Sequence, residues 1–156
     1  MAQTSGLDTV VGQVERARAQ GARVVNGGSA AKVDGRGRYY EATVLDGVTH
    51  AMEVMTEETF GPVAPVMAVN GDDEAIALMN DSRYGLTASI WTRDLERGRE
   101  LAGRVEAGTV FLNRCDYLDP ALPWSGWKDS GHGVSLSRFG FDRLVRTRAH
   151  HYRLPG

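Results

Sequence analysis

Apolar residues first recur at Leu7, Val10, Val11, Val14 and Ala17, one stripe of a 3.6-residue period, and Gly21 stands where a glycine would end it. The pattern predicts a helix over 7–20. Ala22 to Asn26 follows as a short β-prone run closed by Gly27-Gly28, and Tyr39 to Leu45 is a second such run. The stretch between them, Ser29 to Arg38, reads as a surface loop. Gly61 to Asn70 is apolar on both faces, as suits a buried strand, although Pro65 removes a ladder donor. Asp72 and Asp73 offer an N-cap for a helix reaching about Asn80, and Asp94 caps another along Leu95, Leu101, Ala102 and Val105. Gly98 and Gly103 weaken that second helix by about 1 kcal/mol each.

Thr87 to Trp91 and Gly108 to Leu112 read as strands. From Val63 onward the order is then strand, helix, strand, helix, strand, which calls for parallel pairing through right-handed crossovers and an α/β layered domain. Asn113 to Gly133 has no clear periodicity and carries two prolines and three glycines. A loop of about 20 residues in a compact domain is more often functional than idle. Ser135 to Leu144 is predicted as a helix, and Val145 to Arg153 alternates as a terminal strand.

Length and charge narrow the function classes. A chain of 156 residues is the size of one ordinary domain. Its 18 Lys and Arg against 20 Asp and Glu give a net charge of −2, which removes nucleic acid as a default partner. One cysteine makes no internal disulfide, no run approaches the roughly 18 apolar residues of a membrane span, and the first residues lack the pattern of a signal peptide. A reduced, cytoplasmic setting is expected. Glycine, 19 residues, is about 12% against a usual 7% or so, so tight turns and close backbone approaches are expected.

Candidate chemistry is thin when each residue stands alone. Cys115, with Asp116 beside it and His132 further on, follows a strand as a nucleophile would, but a lone cysteine is more often inert packing. Cys115, His50, His132, His150 and His151 show no zinc-site spacing, so no metal is expected. Glu57 and Glu58 before Thr59-Phe60-Gly61-Pro62 read first as a solvated acidic pair and a core phenylalanine. Gly126, Gly131 and Gly133 match neither a P-loop nor a dinucleotide fingerprint. Tyr117, Trp124 and Trp127 fit pocket walls and core anchors equally well.

Four segments taken together carry more. Glu57-Glu58-Thr59-Phe60-Gly61-Pro62-Val63 resembles the E-E-x-F-G-P motif of the aldehyde dehydrogenase superfamily, and Asn80 to Leu86 is similar to its N-x-x-x-Y-G-L. Glu106 to Asn113 is similar to its E-A-G-x-V-x-x-N. Pro123 to Gly131 resembles P-F-G-G-x-K-x-S-G, with Trp124 for the aromatic and Ser125 for the first glycine. Order and spacing agree from about Leu7 to Tyr152.

The resemblance implies part of a three-layer α/β catalytic domain over 1–144, mainly parallel strands with crossover helices, and a strand of an intersubunit sheet over 145–156. It implies oxidation of an aldehyde to an acid with NAD or NADP. Glu58 and Phe60 inherit cofactor binding at the nicotinamide end, and Asp116, Leu118 and Trp124 inherit the substrate entrance. The family's nucleophilic cysteine, general-base glutamate, oxyanion asparagine and adenosine site match nothing here. No catalytic residue is therefore assigned, and the chain is expected to be a C-terminal segment, inactive alone, that partners with a cofactor domain and forms homo-oligomers through 145–153. The rival expectation is a non-catalytic module retaining only packing and oligomer contacts; a hydrolase built on Cys115 and His132 is a distant third.

Overall fold

The structure is a computed structural model that describes residues 2–115 and 117–156. The chain divides into two compact units, Met1–Asn70 and Gly71–Gly156.

In the first unit, α1 (Thr4–Ala19) buries the predicted stripe: Val10 and Val14 are fully enclosed and Ala17 nearly so. The helix stops as its sequence says. Gly21 adopts φ 102°, and the amides of Gly21 and Ala22 donate to the carbonyls of Arg18 (3.0 Å) and Ala17 (2.9 Å), which is the paired closure of a Schellman end. Strand β1 (Arg23–Asn26) comes next. The expected loop over 29–38 is instead mostly a hairpin of β2 (Ala30–Val33) and β3 (Arg36–Tyr40). Its turn is Asp34-Gly35 at φ 50° and 70°, the left-handed pair that a two-residue hairpin requires. The run expected as one strand over 39–45 is divided between β3 and β4 (Thr43–Asp46).

A one-turn helix, α2 (Glu53–Thr56), precedes β5 (Val63–Val66). The sheet order is β1-β4-β5, antiparallel then parallel, with β4 in the centre and its Thr43 and Leu45 buried. Pro65 lies on β5, an outer strand of this sheet, where the missing N–H is tolerated. Leu45, Val48, Met52 and Val54 join the α1 stripe, Ala22 and Tyr40 in one core. Each fully enclosed Val or Leu contributes about 1.5–3 kcal/mol. Arg16 of α1 grips Glu53 of α2 through both oxygens, at 2.6 and 2.9 Å.

The second unit opens with α3 (Asp72–Asn80), whose N-cap is Gly71 rather than an aspartate. Asp72 and Asp73 lie in its first turn and form ion pairs with Arg97 and Arg104. After β6 (Tyr84–Gly85) and β7 (Thr87–Ile90) comes α4 (Leu95–Ala102), capped as expected by Asp94, whose Oδ1 accepts from the Arg97 amide at 3.0 Å. Gly98 is not a flaw in α4: a methyl there would meet Leu112 Cδ1 at 2.6 Å, so its absence lets the helix lie on β8 (Thr109–Leu112). Strands β7 and β8 are parallel from Thr87 opposite Thr109 to Ile90 opposite Leu112. Helix α4 lies between them in sequence, one of the two strand-helix-strand units that the pattern predicted; β5 has its ladder with β4, and four of the six strand pairings among the described residues are antiparallel, where mainly parallel strands were expected.

The long segment after β8 is less irregular than expected. It holds β9 (Trp124–Ser125) and β10 (Trp127–Lys128), while β11 (Val134–Ser135) follows it; β10 pairs with β6, and β11 pairs with β9. Helix α5 covers only Ser137–Phe141 of the predicted 135–144; Leu136 and Ser137, at φ 61° and 51°, delay its start. Residues 146–156 have no ladder partner among the described residues, and a strand exists only through its neighbour.

Candidate functional site

In the first unit, the loop 57–62 is anchored just after Phe60. A methyl on Gly61 would meet Val10 Cγ2 at 2.5 Å, so this position presses bare backbone against α1. The Pro62 carbonyl accepts from the Thr43 amide at 2.8 Å, tying the loop to the central strand. Immediately before these anchors, Phe60 has φ 46° and is 82% exposed. A bulky residue in the left-handed region costs on the order of 1–3 kcal/mol, and an exposed ring regains none of it by burial. Phe60 is therefore not the core phenylalanine that its composition alone indicated. Glu58 is exposed as well, and it makes no hydrogen bond or ion pair among the described residues.

The second unit contains a cavity of about 370 Å³ between the β8 backbone and the loop that follows it. Phe111, Tyr117, Leu122, Pro123, Trp124 and Leu136 give it apolar walls. Arg114 and Asp119 supply its charges: the guanidinium stacks 4.2 Å from the Tyr117 ring centre, and Asp119 Oδ1 accepts from the Ala121 amide. Of the three residues expected at the substrate entrance, Trp124 lines the cavity. Leu118 is 55% exposed and does not line it, and Asp116 lies outside the described residues. Tyr117 is a wall, as one reading of the aromatics had it, while Trp127 stands half-exposed on β10.

Cys115 and His132 are both exposed, and no hydrogen bond joins them among the described residues. No group of three His, Cys, Asp or Glu is placed to hold a metal ion among the described residues.

The second unit also holds a frame that single-residue reasoning did not find. The Asn80 side chain donates to the Arg104 carbonyl (2.8 Å) and accepts from the Glu106 amide (2.9 Å). Asn113 treats Thr92 the same way, donating to its carbonyl and accepting from its amide, both at 2.9 Å. Each asparagine thus acts as a detached peptide group. Lys128 Nζ donates to the Asn80 carbonyl at 2.6 Å and pairs with Glu106 Oε2 at 2.8 Å. Ser130 Oγ accepts from the Gly85 amide at 3.0 Å. Gly108 is required because a methyl there would overlap the Ser125 carbonyl. Asparagines at the ends of regular elements, Asn80 closing α3 and Asn113 following β8, were the signal for this frame, since amide side chains imitate backbone.

Known proteins share this arrangement. The aldehyde dehydrogenase family model matches residues 1–150. An aldehyde dehydrogenase of Paenarthrobacter nicotinovorans is 45% identical over 148 residues, 95% of this chain and 32% of that protein. The succinate semialdehyde dehydrogenase [NAD(P)+] Sad of Escherichia coli K12 is 43% identical over 90% of this chain and 30% of its own length. The crystal structure of an NAD-dependent aldehyde dehydrogenase from Sinorhizobium meliloti superimposes with a TM-score of 0.86 at 37% identity, covering 91% of this chain and 28% of that one. The chain spans about a third of the length of these relatives. With 150 of its 156 residues matched and both units built on the motif positions, the chain belongs to the aldehyde dehydrogenase family.

Proposed function

We propose that this chain works as part of an enzyme that oxidises an aldehyde to a carboxylic acid with NAD(P)+. Glu58 and Phe60 hold the nicotinamide end of the cofactor, and Trp124 borders the aldehyde, with Asp116 and Leu118 kept as entrance residues on the family resemblance alone. The observation that carries this reading is Phe60, an aromatic ring displayed at φ 46° and 82% exposure two residues after an exposed carboxylate. The pair fits a nucleotide. A carboxylate accepts two hydrogen bonds from a vicinal diol such as ribose, and a free aromatic face restricts where a planar ring can swing. Bound NAD(P)+ supplies the hydride acceptor; the chain's own residues orient and shield.

The family's thiolate and water-activating glutamate have no counterpart among these 156 residues. Cys115 follows Asn113 by two positions, outside the glycine-rich setting of that nucleophile. We therefore assign no turnover to the chain alone and take its partners to be the remainder of such an enzyme, including the adenosine-binding domain, and further copies through 145–153. None of its described helices is long and apolar enough to cross a membrane. The single free thiol agrees with a reduced, cytoplasmic setting.

The test is a chimera in which residues 1–150 replace the matching segment of the Paenarthrobacter relative. It should form NADH from aldehydes, and Glu58→Gln should slow single-turnover hydride transfer by roughly 10- to 100-fold while leaving adenosine binding nearly unchanged. The chain by itself should bind NAD only at about millimolar concentration or weaker by calorimetry. Micromolar binding, or turnover by the isolated chain that Cys115→Ala abolishes, would overturn the assignment.

A further inference from the structure

The side chain of Lys128 is buried more deeply than is usual for a lysine, at 26% exposure, and its backbone sits at φ 53°. A flexible, strongly hydrated ammonium group is held there by two partners from different parts of the unit. One is the Asn80 carbonyl at the end of α3, at 2.6 Å; the other is the Glu106 carboxylate just before β8, at 2.8 Å. Those two points are also joined to each other, through the Asn80 side chain and the Glu106 amide. Lys128 therefore closes a ring.

From this ring the route to the cavity is short and stiff. Lys128 ends β10, whose ladder to β6 starts at Trp127 opposite Gly85. The turn between β9 and β10 is Gly126, where a methyl would stand 2.7 Å from the Ser130 carbonyl oxygen. The preceding residue, Ser125, rests its carbonyl directly on Gly108, two residues from Glu106. Trp124 comes next, and it lines the cavity. A displacement at Lys128 is thus passed to Trp124 through packed backbone rather than through flexible side chains.

We propose that Lys128 is a positioning residue for the aldehyde pocket, setting through β10 and Ser125 how far the Trp124 wall stands into the cavity. This rests on the reading of Trp124 as a substrate wall. It gives the ion pair a role in specificity and none in the chemical step. Lys128→Met keeps the length of the side chain and removes both bonds, so the wall loosens. Glu106→Gln keeps an acceptor for Nζ and removes only the charge.

The measurement uses the chimera with propanal, phenylacetaldehyde and succinate semialdehyde, following the probe with the highest kcat/KM. Lys128→Met should raise its KM by about 10-fold with kcat and the KM for NAD held within about twofold, and Glu106→Gln should raise it by about two- to threefold. In a Trp124→Ala background, Lys128→Met should add no further rise, because the wall it positions is gone. Equal multiplicative effects in both backgrounds, or a joint fall of kcat and cofactor affinity, would overturn the proposal. Should Lys128→Met fail to fold, the same cycle read with Glu106→Gln and Trp124→Ala decides it: a rise that vanishes without the indole supports positioning, and one that persists refutes it. A parent chimera that forms no NADH at all counts against the enzyme reading instead, so the two failures are distinguishable.

Discussion

Gly108→Ala isolates the closest backbone approach in the second unit. Its φ is not positive, so alanine suits the backbone conformation and only the space around the new methyl matters. The methyl would overlap the Ser125 carbonyl oxygen and stand 2.5 Å from its carbon, where ordinary contact begins at 3.4 Å. The carbonyl must then retreat by at least about 0.9 Å, judged on the carbon alone, and its strand β9 is only two residues long. Overpacking of this kind costs about 1–3 kcal/mol, and with backbone as the obstacle the upper end applies. For a chain of this size, about 3 kcal/mol lowers Tm by about 6–12 °C. Urea unfolding followed by tryptophan fluorescence supplies the assay, with Gly103→Ala as control. Gly103 has φ −67° and ψ −14° and a nearest contact of 3.4 Å, so alanine there should gain about 0.4–1 kcal/mol. A Gly108→Ala protein within about 0.5 kcal/mol of the parent would refute the reasoning.

Thr43 is 2% exposed, accepts from the Gly28 amide at 2.9 Å and donates to the Glu41 carbonyl at 2.8 Å. Thr43→Val should cost about 1–3 kcal/mol in the same assay, with Thr43→Ser recovering most of it. The Glu53 carboxyl is held below its ordinary range chiefly by the hydrogen bond from Arg16, and that of Asp46 by Arg23 and then the Gly47 amide. Folded-state values below the unfolded ones mean that this stabilisation is present at neutral pH and lost as pH falls through the folded values. The urea midpoint should therefore drop on acidification, less steeply in a Glu53→Gln, Asp46→Asn double variant, and parallel slopes would sink the idea. Deleting Arg146 to His150 and everything after them from the chimera should turn an oligomer into monomers or aggregate in sedimentation, whereas an unchanged oligomer would reassign the segment.

Where a feature was local, the chain announced it. The α1 stripe, the Gly21 stop and the Asp94 cap each depend on residues within a few positions of one another, and each stands as read. The β2–β3 hairpin was also announced, by Asp34-Gly35, but its strands are too polar and exposed to show alternation, so the surrounding composition hid the turn. What could not be read was distant. Gly98 looked like a weak point in α4 until Leu112 was found beside it, and Phe60 looked like core until its backbone was seen to turn it outward. The same holds for the candidate site. Resemblance singled out Glu58, Phe60 and Trp124, yet Arg114 and Leu122 enter the cavity only through the path of the loop, which no periodicity encodes.

The reciprocal amide pair between Asn113 and Thr92 has an evolutionary consequence. It fastens the exit of β8 just where the cavity loop begins, and the Ser125 carbonyl seated on Gly108 fastens the far end. Between these two fixed points the chain is held at few places: the Arg114 carbonyl accepts from Ser89 Oγ and the Pro120 carbonyl from the Ser137 amide. Residues 114–123 thus form a loop between fastened ends, and such loops tolerate insertion, deletion and substitution better than the strands they follow. The walls of the cavity can change there while the register of β7 and β8 stays the same.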